Sequence, residues 1–162
     1  MPATDRPIGI VDLDGVLADV RHRLHHLEGR KDWDAFFAGI PDDPPLAEGF
    51  AVVERLLADG HEIVLVTGRP ERTRADTERW LARHALPRVR VIMRRDGDRR
   101  PAREVKRGVV RRLAGARTIA VVVDDDPAVC AALQADGWPV YQADWMDRAA
   151  PLHEAQESDG RT

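Results

Sequence analysis

With 162 residues and 43% apolar content, the chain is long enough to build one domain around its own core, which excludes wholesale disorder. A net charge of −3 excludes a generally cationic nucleic-acid binder while leaving room for local basic patches. Cys130 is the only cysteine, which rules out an internal disulfide and a cysteine-based metal cluster; without a basic-then-apolar leader or an apolar run of bilayer length, a cytoplasmic protein away from membranes is expected.

The first element is a short apolar run, Ile8 to Leu13, which reads as a buried strand ending abruptly at Asp14-Gly15. Residues 19–46 break the pattern: a His-rich stretch leads through Trp33, Phe36 and Phe37 to Pro41, Pro44 and Pro45. A helix is predicted from Ala47 to Asp59, with Phe50, Val53, Leu56 and Leu57 at helical spacing and Gly60 as its C-terminal cap. Ile63 to Thr67 is a second strand, and Glu71 to His84 a helix with Trp80 and Leu81 inward. Val89 to Met93 is a third strand. A helix follows over Glu104 to Leu113, with Val105, Val109 and Leu113 on one stripe. Thr118 to Val123 is the fourth strand, Pro127 opens a helix through Ala135, and Val140 to Gln142 closes the series. Residues 151–162 are polar and aperiodic, so a frayed tail is expected after a domain spanning 1–150.

Strands alternating with helices imply a parallel sheet covered on both faces, and such sheets bind ligands outside the carboxyl ends of their strands. The polar residues that stand out sit at those ends. Asp12 and Asp14 end the first strand, Thr67, Gly68 and Arg69 the second, and Asp124, Asp125 and Asp126 the fourth. Lys106 stands early in the preceding helix, in a chain whose only other lysine is Lys31. So many carboxylates on one rim repel unless a cation sits among them, and hard oxygen ligands favour Mg²⁺, which keeps waters and accepts a phosphate oxygen. Such a metal lets an anionic nucleophile approach a phosphate. An Asp can accept the phosphoryl group, and a second Asp two residues on can act as acid and base. A Thr hydroxyl, a Gly N–H and a Lys ammonium suit the phosphate oxygens. Each motif alone also has a plain reading: Asp-x-Asp-Gly as a turn, and the three Asp as a cap for the helix at Pro127.

Together, Asp-Leu-Asp-Gly-Val at 12–16, Thr67 with Gly68-Arg69, Lys106, and Asp124-Asp125 resemble the haloacid dehalogenase (HAD) superfamily of phosphatases. The resemblance implies a three-layer α/β/α, Rossmann-like parallel sheet with a small helical cap insert, 19–46, after the first strand. It implies Asp12 as nucleophile and Asp14 as acid/base. Asp12, Asp14 (through its carbonyl), Asp124 and Asp125 would hold Mg²⁺, and Thr67, Gly68, Arg69 and Lys106 would bind the phosphate. Within the superfamily the chain is similar to the 3′-phosphatase domain of phage-type polynucleotide kinase-phosphatases. The stretches that carry this are Leu-Val-Thr-Gly-Arg at 65–69, Met-Arg-Arg-Asp-Gly-Asp-Arg-Arg at 93–100 before Glu104-Val105-Lys106, and Val-Asp-Asp-Asp at 123–126. No G-x-x-x-x-G-K-[ST] loop occurs, so a phosphatase without the kinase half is expected, with a separate kinase or ligase as partner.

The implied substrate is a 3′-phosphorylated DNA or RNA end, with a nucleotidase or other small-molecule phosphatase of the same superfamily as the alternative. A cap of under about 30 residues leaves the site open to end groups of large substrates, whose shells of charge a basic run from Arg94 to Arg112 can track. His22, Trp33, Arg94 and Arg99 are candidate substrate contacts, Trp33 by stacking on a base. The plain reading of the aromatics is that they anchor the insert; His22, His25 and His26 could also bind metal or line the cap's polar face. A phosphorylatable receiver domain uses similar residues, but with the acidic pair first and the accepting Asp later, the reverse of the order here.

Overall fold

β-Branched and apolar runs supply five strands: β1 (Ile8–Val11), β2 (Glu62–Pro70), β3 (Arg90–Arg94), β4 (Ile119–Asp124) and β5 (Val140–Gln142). The computed structural model describes residues 6–86 and 88–162, so the first five residues of the expected 1–150 domain lie outside the described residues. All neighbouring strands pair in parallel, in the order β3-β2-β1-β4-β5. The connections carry helices α1 (Trp33–Ala38) and α2 (Ala47–Ala58) before β2, α3 (Arg74–Arg83) before β3, α4 (Ala102–Ala114) before β4 and α5 (Pro127–Ala135) before β5. A last short helix, α6 (Ala150–His153), follows the sheet.

The period of two along each strand sorts side chains onto the two faces. Ile8, Ile10, Val64, Val66 and Val122 pack with Val109, Val110 and Leu113 of α4 and with Val129 and Leu133 of α5. Val11, Leu65 and Val123 point the other way, onto Val53 of α2 and Trp80 and Leu81 of α3. The result is the three-layer α/β/α arrangement. The predicted elements recur with modest shifts: β2 runs on to Pro70, and α4 starts two residues early. Leu57, at helical spacing with Phe50, Val53 and Leu56, is 49% exposed.

Register places the site. Val11 is opposite Leu65 on one side and Val123 on the other, so Asp12, Thr67 and Asp124 leave three adjacent strands on one rim.

Two segments flank that rim. The insert builds a satellite core from Val20, Leu24, Leu27, Phe36, Phe37, Ile40 and Leu46. The C-terminal segment completes it, with Met146, Leu152 and Ala155 buried against the insert. The frayed tail expected for 151–162 is therefore a correction: α6 continues as a π-helical turn, Glu154–Ser158, and Gly160 and Thr162 are buried. The reason is tertiary. Leu152 and Ala155, three residues apart, need only one turn of helix to reach an apolar surface that the insert provides, too short a stretch to show a period.

Candidate active site

β1 stops at Val11, and the chain turns sharply through Asp12–Ala18, with the Leu17 and Ala18 N–H groups donating to Leu13 O at 2.8 and 2.9 Å. Gly15 has φ +82°, and a Cβ there would lie 2.0 Å from Asp125 Oδ2, so only glycine lets the β1 turn and the end of β4 come this close. The turn sends the two carboxylates of Asp12 and Asp14 into different surroundings.

Asp12 faces Lys106 and the end of β4. Lys106, buried on α4, places its Nζ 3.0 Å from Asp12 Oδ1 and 2.5 Å from Asp124 Oδ2. Burial lifts the Asp12 carboxyl well above the usual carboxylate range although Lys106 opposes it, and Asp124, Asp125 and Asp14 add to the rise. Burial also works against the Lys106 ammonium, yet Asp12 and Asp124 together make it hold its proton more tightly than usual. Asp125 is pushed up to about 7 by burial, against the pull of Arg148, whose Nη1 donates to its Oδ2 at 2.6 Å. Two buried oxygens here have no hydrogen-bond partner, Asp12 Oδ2 and Asp125 Oδ1. Asp12, Asp124 and Asp125 each offer an oxygen within 4.8 Å of the others. Orphaned carboxylate oxygens at this spacing, with no sulfur or imidazole among them, fit a hard divalent cation. The Asp14 side chain is not in this group.

Asp14 instead sits in a buried lattice of charge. Arg69 donates to Asp14 Oδ1 from Nε at 2.9 Å and from Nη2 at 2.5 Å, and from Nη2 to Asp43 Oδ2 at 2.8 Å. Arg23 donates to Asp43 Oδ1 and Oδ2 at 2.7 and 3.0 Å, and its Nη2 is 3.4 Å from Asp14 Oδ1. Burial opposes ionisation of Asp14, but Arg69 and then Arg23 outweigh it and hold the carboxyl below its ordinary range. Thr162 Oγ1 donates to Asp14 Oδ2 at 3.3 Å.

The remaining sequence-derived residues fall as follows. Thr67 is buried beside Asp14's partner, its Oγ1 accepting from the Arg69 N–H at 3.2 Å. Gly68 lies against the chain's last residue: a Cβ there would be 2.1 Å from the Thr162 carbonyl carbon. Arg69 is fully enclosed and committed to Asp14 and Asp43, so it holds the second carboxylate. Arg94 is also buried and braces loops, donating to Gly68 O at 3.0 Å, Arg100 O at 2.7 Å and Thr162 O at 3.3 Å. Arg99 is exposed near the rim. His22 Nε2 is 2.7 Å from Asp43 Oδ1, while His25 and His26 lie against each other at 4.0 Å. The three histidines do not join a metal-competent group among the described residues. Trp33 is half-buried, flanked by Phe36 and Phe37.

Sequence reasoning missed Arg23, Asp43, Arg148 and Thr162. None of the four carried a spacing signal: in the 3₁₀ segment Arg21–Leu27 the i, i+3 pair Leu24 and Leu27 share a face, and Arg23 stands off it.

The family model of the polynucleotide kinase PNKP phosphatase domain matches residues 7–147. Among solved structures, a chain of the Pnkp1/Rnl/Hen1 complex is 25% identical, with TM-score 0.71 over 88% of this chain and 48% of its own. A chain of the Pnkp1/Rnl/Hen1 RNA repair complex is 22% identical, with TM-score 0.73 over 91% and 45%. This chain thus spans about half the length of either. The haloacid dehalogenase-like hydrolase SP0104 from Streptococcus pneumoniae shares the fold at 11% identity, with TM-score 0.61 over 94% of this chain and 91% of its own. No curated protein sequence matches the chain.

Proposed function

This chain belongs to the family of polynucleotide kinase PNKP phosphatase domains, and from that premise we propose that it is a Mg²⁺-dependent phosphomonoesterase that removes the 3′-phosphate from DNA or RNA ends through an aspartyl phosphate. The single observation that carries the mechanism is Asp12: a buried carboxylate with one oxygen on Lys106 and the other, Oδ2, left without a partner. One Asp12 oxygen is the nucleophile, and the other would share the cation. The attacking oxygen forms the bond to phosphorus as the P–O3′ bond breaks, and the leaving oxygen takes its proton from the carboxyl of Asp14. Asp14, now a carboxylate, accepts a proton from water as the water oxygen attacks phosphorus, releasing inorganic phosphate and regenerating Asp12. Arg69 and Arg23 stabilise the carboxylate form of Asp14 that this second half requires and oppose the acid form that the first half requires, so the proton-donating state is the scarce one. Lys106, Thr67 and the Gly68 N–H hold the phosphoryl oxygens. Mg²⁺ held by Asp12, Asp124 and Asp125, with the Asp14 carbonyl, would neutralise charge on the transferring group.

Residues 19–46 act as a short cap that closes one side of the site and leaves the rim open. The 3′-hydroxyl product is what a strand-joining reaction consumes, so a separate kinase or ligase is the natural companion. No described helix is long and apolar enough to cross a membrane, and a cytoplasmic setting suits the buried free thiol of Cys130.

The test is release of inorganic phosphate from a 3′-phosphorylated oligonucleotide. Mg²⁺ should support turnover, EDTA should abolish it, and Asp12→Asn should lower kcat by about 10³-fold or more. Undiminished turnover in EDTA would overturn the metal assignment. Near-normal turnover by Asp12→Asn would overturn the nucleophile.

A further inference from the structure

The loop that follows β5 is tied to the strand ends that carry the acidic group. The Ala143 N–H donates to Asp124 O at 2.9 Å, and Trp145 Nε1 donates to Val16 O, in the turn after β1, at 2.9 Å. Met146 is buried in the satellite core. These anchors set where Arg148, two residues on, can reach. Only 17% of its side chain is exposed, and its Nη1 donates to Asp125 Oδ2 at 2.6 Å.

The form of this contact is informative. A guanidinium fork ordinarily takes both oxygens of a carboxylate. It does so in this chain where Arg21 meets Asp19, Arg23 meets Asp43, Arg100 meets Asp98 and Arg107 meets Asp136. Arg148 divides its fork. Nη1 holds one oxygen of Asp125, while Nη2 donates to Gln156 Oε1 at 2.6 Å. Asp125 Oδ1 is left buried without a partner, on a residue that can share a cation with Asp12 and Asp124. The held oxygen is also penned in by the turn, since a Cβ on Gly15 would lie 2.0 Å from Oδ2. Charge compensation alone would be better served by a two-oxygen contact. A one-oxygen contact orients the carboxylate and keeps a ligand atom free.

Gln156 is built into the fold with equal care. It is 3% exposed and sits in the π-helical turn Glu154–Ser158, where Ala155, Gln156 and Glu157 are all buried. Turns of this width are rare and concentrate at functional sites. Ala155 packs in the satellite core and so fixes the turn, and Gln156 gives Arg148 a neutral acceptor that adds no charge. Arg148 and Gln156 both lie beyond residues 7–147, the stretch that the family model matches.

We propose that Arg148 is a positioning residue for the metal: it aims Asp125 Oδ1 at the cation, and Gln156 holds Arg148 in place, so the C-terminal segment sets how tightly the metal is bound. The inference rests on the Mg²⁺ assignment above and extends it to residues that stand one step behind a ligand. Such partners fix a ligand's orientation before the metal arrives, and their loss typically weakens binding by about 10- to 100-fold.

The experiment titrates the whole protein, without substrate, with Mn²⁺ by electron paramagnetic resonance and with Mg²⁺ by calorimetry. Wild type is compared with Arg148→Met, Arg148→Lys, Gln156→Met and the double variant Arg148→Met/Gln156→Met, the fold of each being checked by Tm in EDTA. Methionine keeps most of the length of either side chain and removes its polar end. Kd should rise by about 10-fold or more in Arg148→Met, with partial recovery in Arg148→Lys, which restores a donor. Gln156→Met should raise it by less, and the double variant should match Arg148→Met, because Gln156 acts through the arginine. Arg117→Met breaks the pair with Glu62, the residue that opens β2 at the opposite end of the sheet, and should leave Kd unchanged. Wild type that binds neither ion would sink the metal assignment itself. Metal bound by wild type, with unchanged or tighter affinity in Arg148→Met, would overturn the positioning role alone. Should Arg148→Met not fold, Gln156→Met decides, and wild-type affinity there would overturn the proposal.

Discussion

Asp14, Asp43, Arg23 and Arg69 form a closed set of two negative and two positive charges, all buried. Enclosed ions are tolerable only when each is matched, because removing one partner leaves an uncompensated charge in a poorly polarisable interior. Asp43 serves both arginines and accepts from His22 as well, and its backbone carbonyl accepts from Trp80 Nε1 at 2.8 Å. Asp43→Ala should therefore cost about 3–5 kcal/mol of stability in denaturant unfolding, and it should lower kcat because Arg69 loses the counter-anchor that aims it at Asp14. A stability loss of about 0.5 kcal/mol, ordinary for a surface change, would mean that the set is not the matched lattice its distances describe. The residues that announce chemistry in the sequence, Asp12, Asp14, Thr67, Lys106 and the Asp124–Asp125 pair, were legible because parallel sheets present strand ends on one rim. Arg23 and Asp43 were not, because they enter from the insert, and no spacing rule says where an irregular insert will fold back.

At the scale of elements the same contrast holds. β1 to β5 and α2 to α5 follow from period-two and helical patterns that each segment carries within itself. The segment after β5 carries no such pattern, because the apolar surface it docks on belongs to the insert. Its docking includes a titratable contact. Glu157 is buried, receives the Arg103 N–H at 3.3 Å and pairs with the Arg103 guanidinium. Burial lifts the Glu157 carboxyl to about 7, with Asp126 adding to the rise and Arg103 opposing it. A carboxyl whose pKa is raised on folding favours the docked state fully below its ordinary value of 4.5, and that contribution is lost as pH climbs through about 7. Wild-type Tm should thus fall between pH 5 and pH 8 more steeply than that of Glu157→Gln, which stays neutral throughout. Parallel Tm profiles for the two proteins would show that Glu157 does not feel the burial assigned to it.

Across the whole molecule the net charge is −3, and three buried carboxylates converge on the rim. The C-terminal segment reaches this rim and is held to the insert by Lys31 on Asp159 at 2.5 Å. Its last residue rests on Gly68, accepts from Arg94 through its carbonyl and donates to Asp14. With the Gly68 N–H as the phosphate donor proposed above, Thr162 lies against the residue that the phosphate would approach, and the docked tail would compete with substrate. Binding then carries the cost of undocking, and apparent affinity falls in proportion to the fraction of molecules whose tail is displaced. Removing residues 159–162 should lower KM for p-nitrophenyl phosphate, and kcat should shift with it, since the truncation takes the Thr162 hydroxyl from Asp14. A KM for the small ester that stays the same or rises on truncation would mean that Thr162 is part of the binding wall and does not compete for the phosphate.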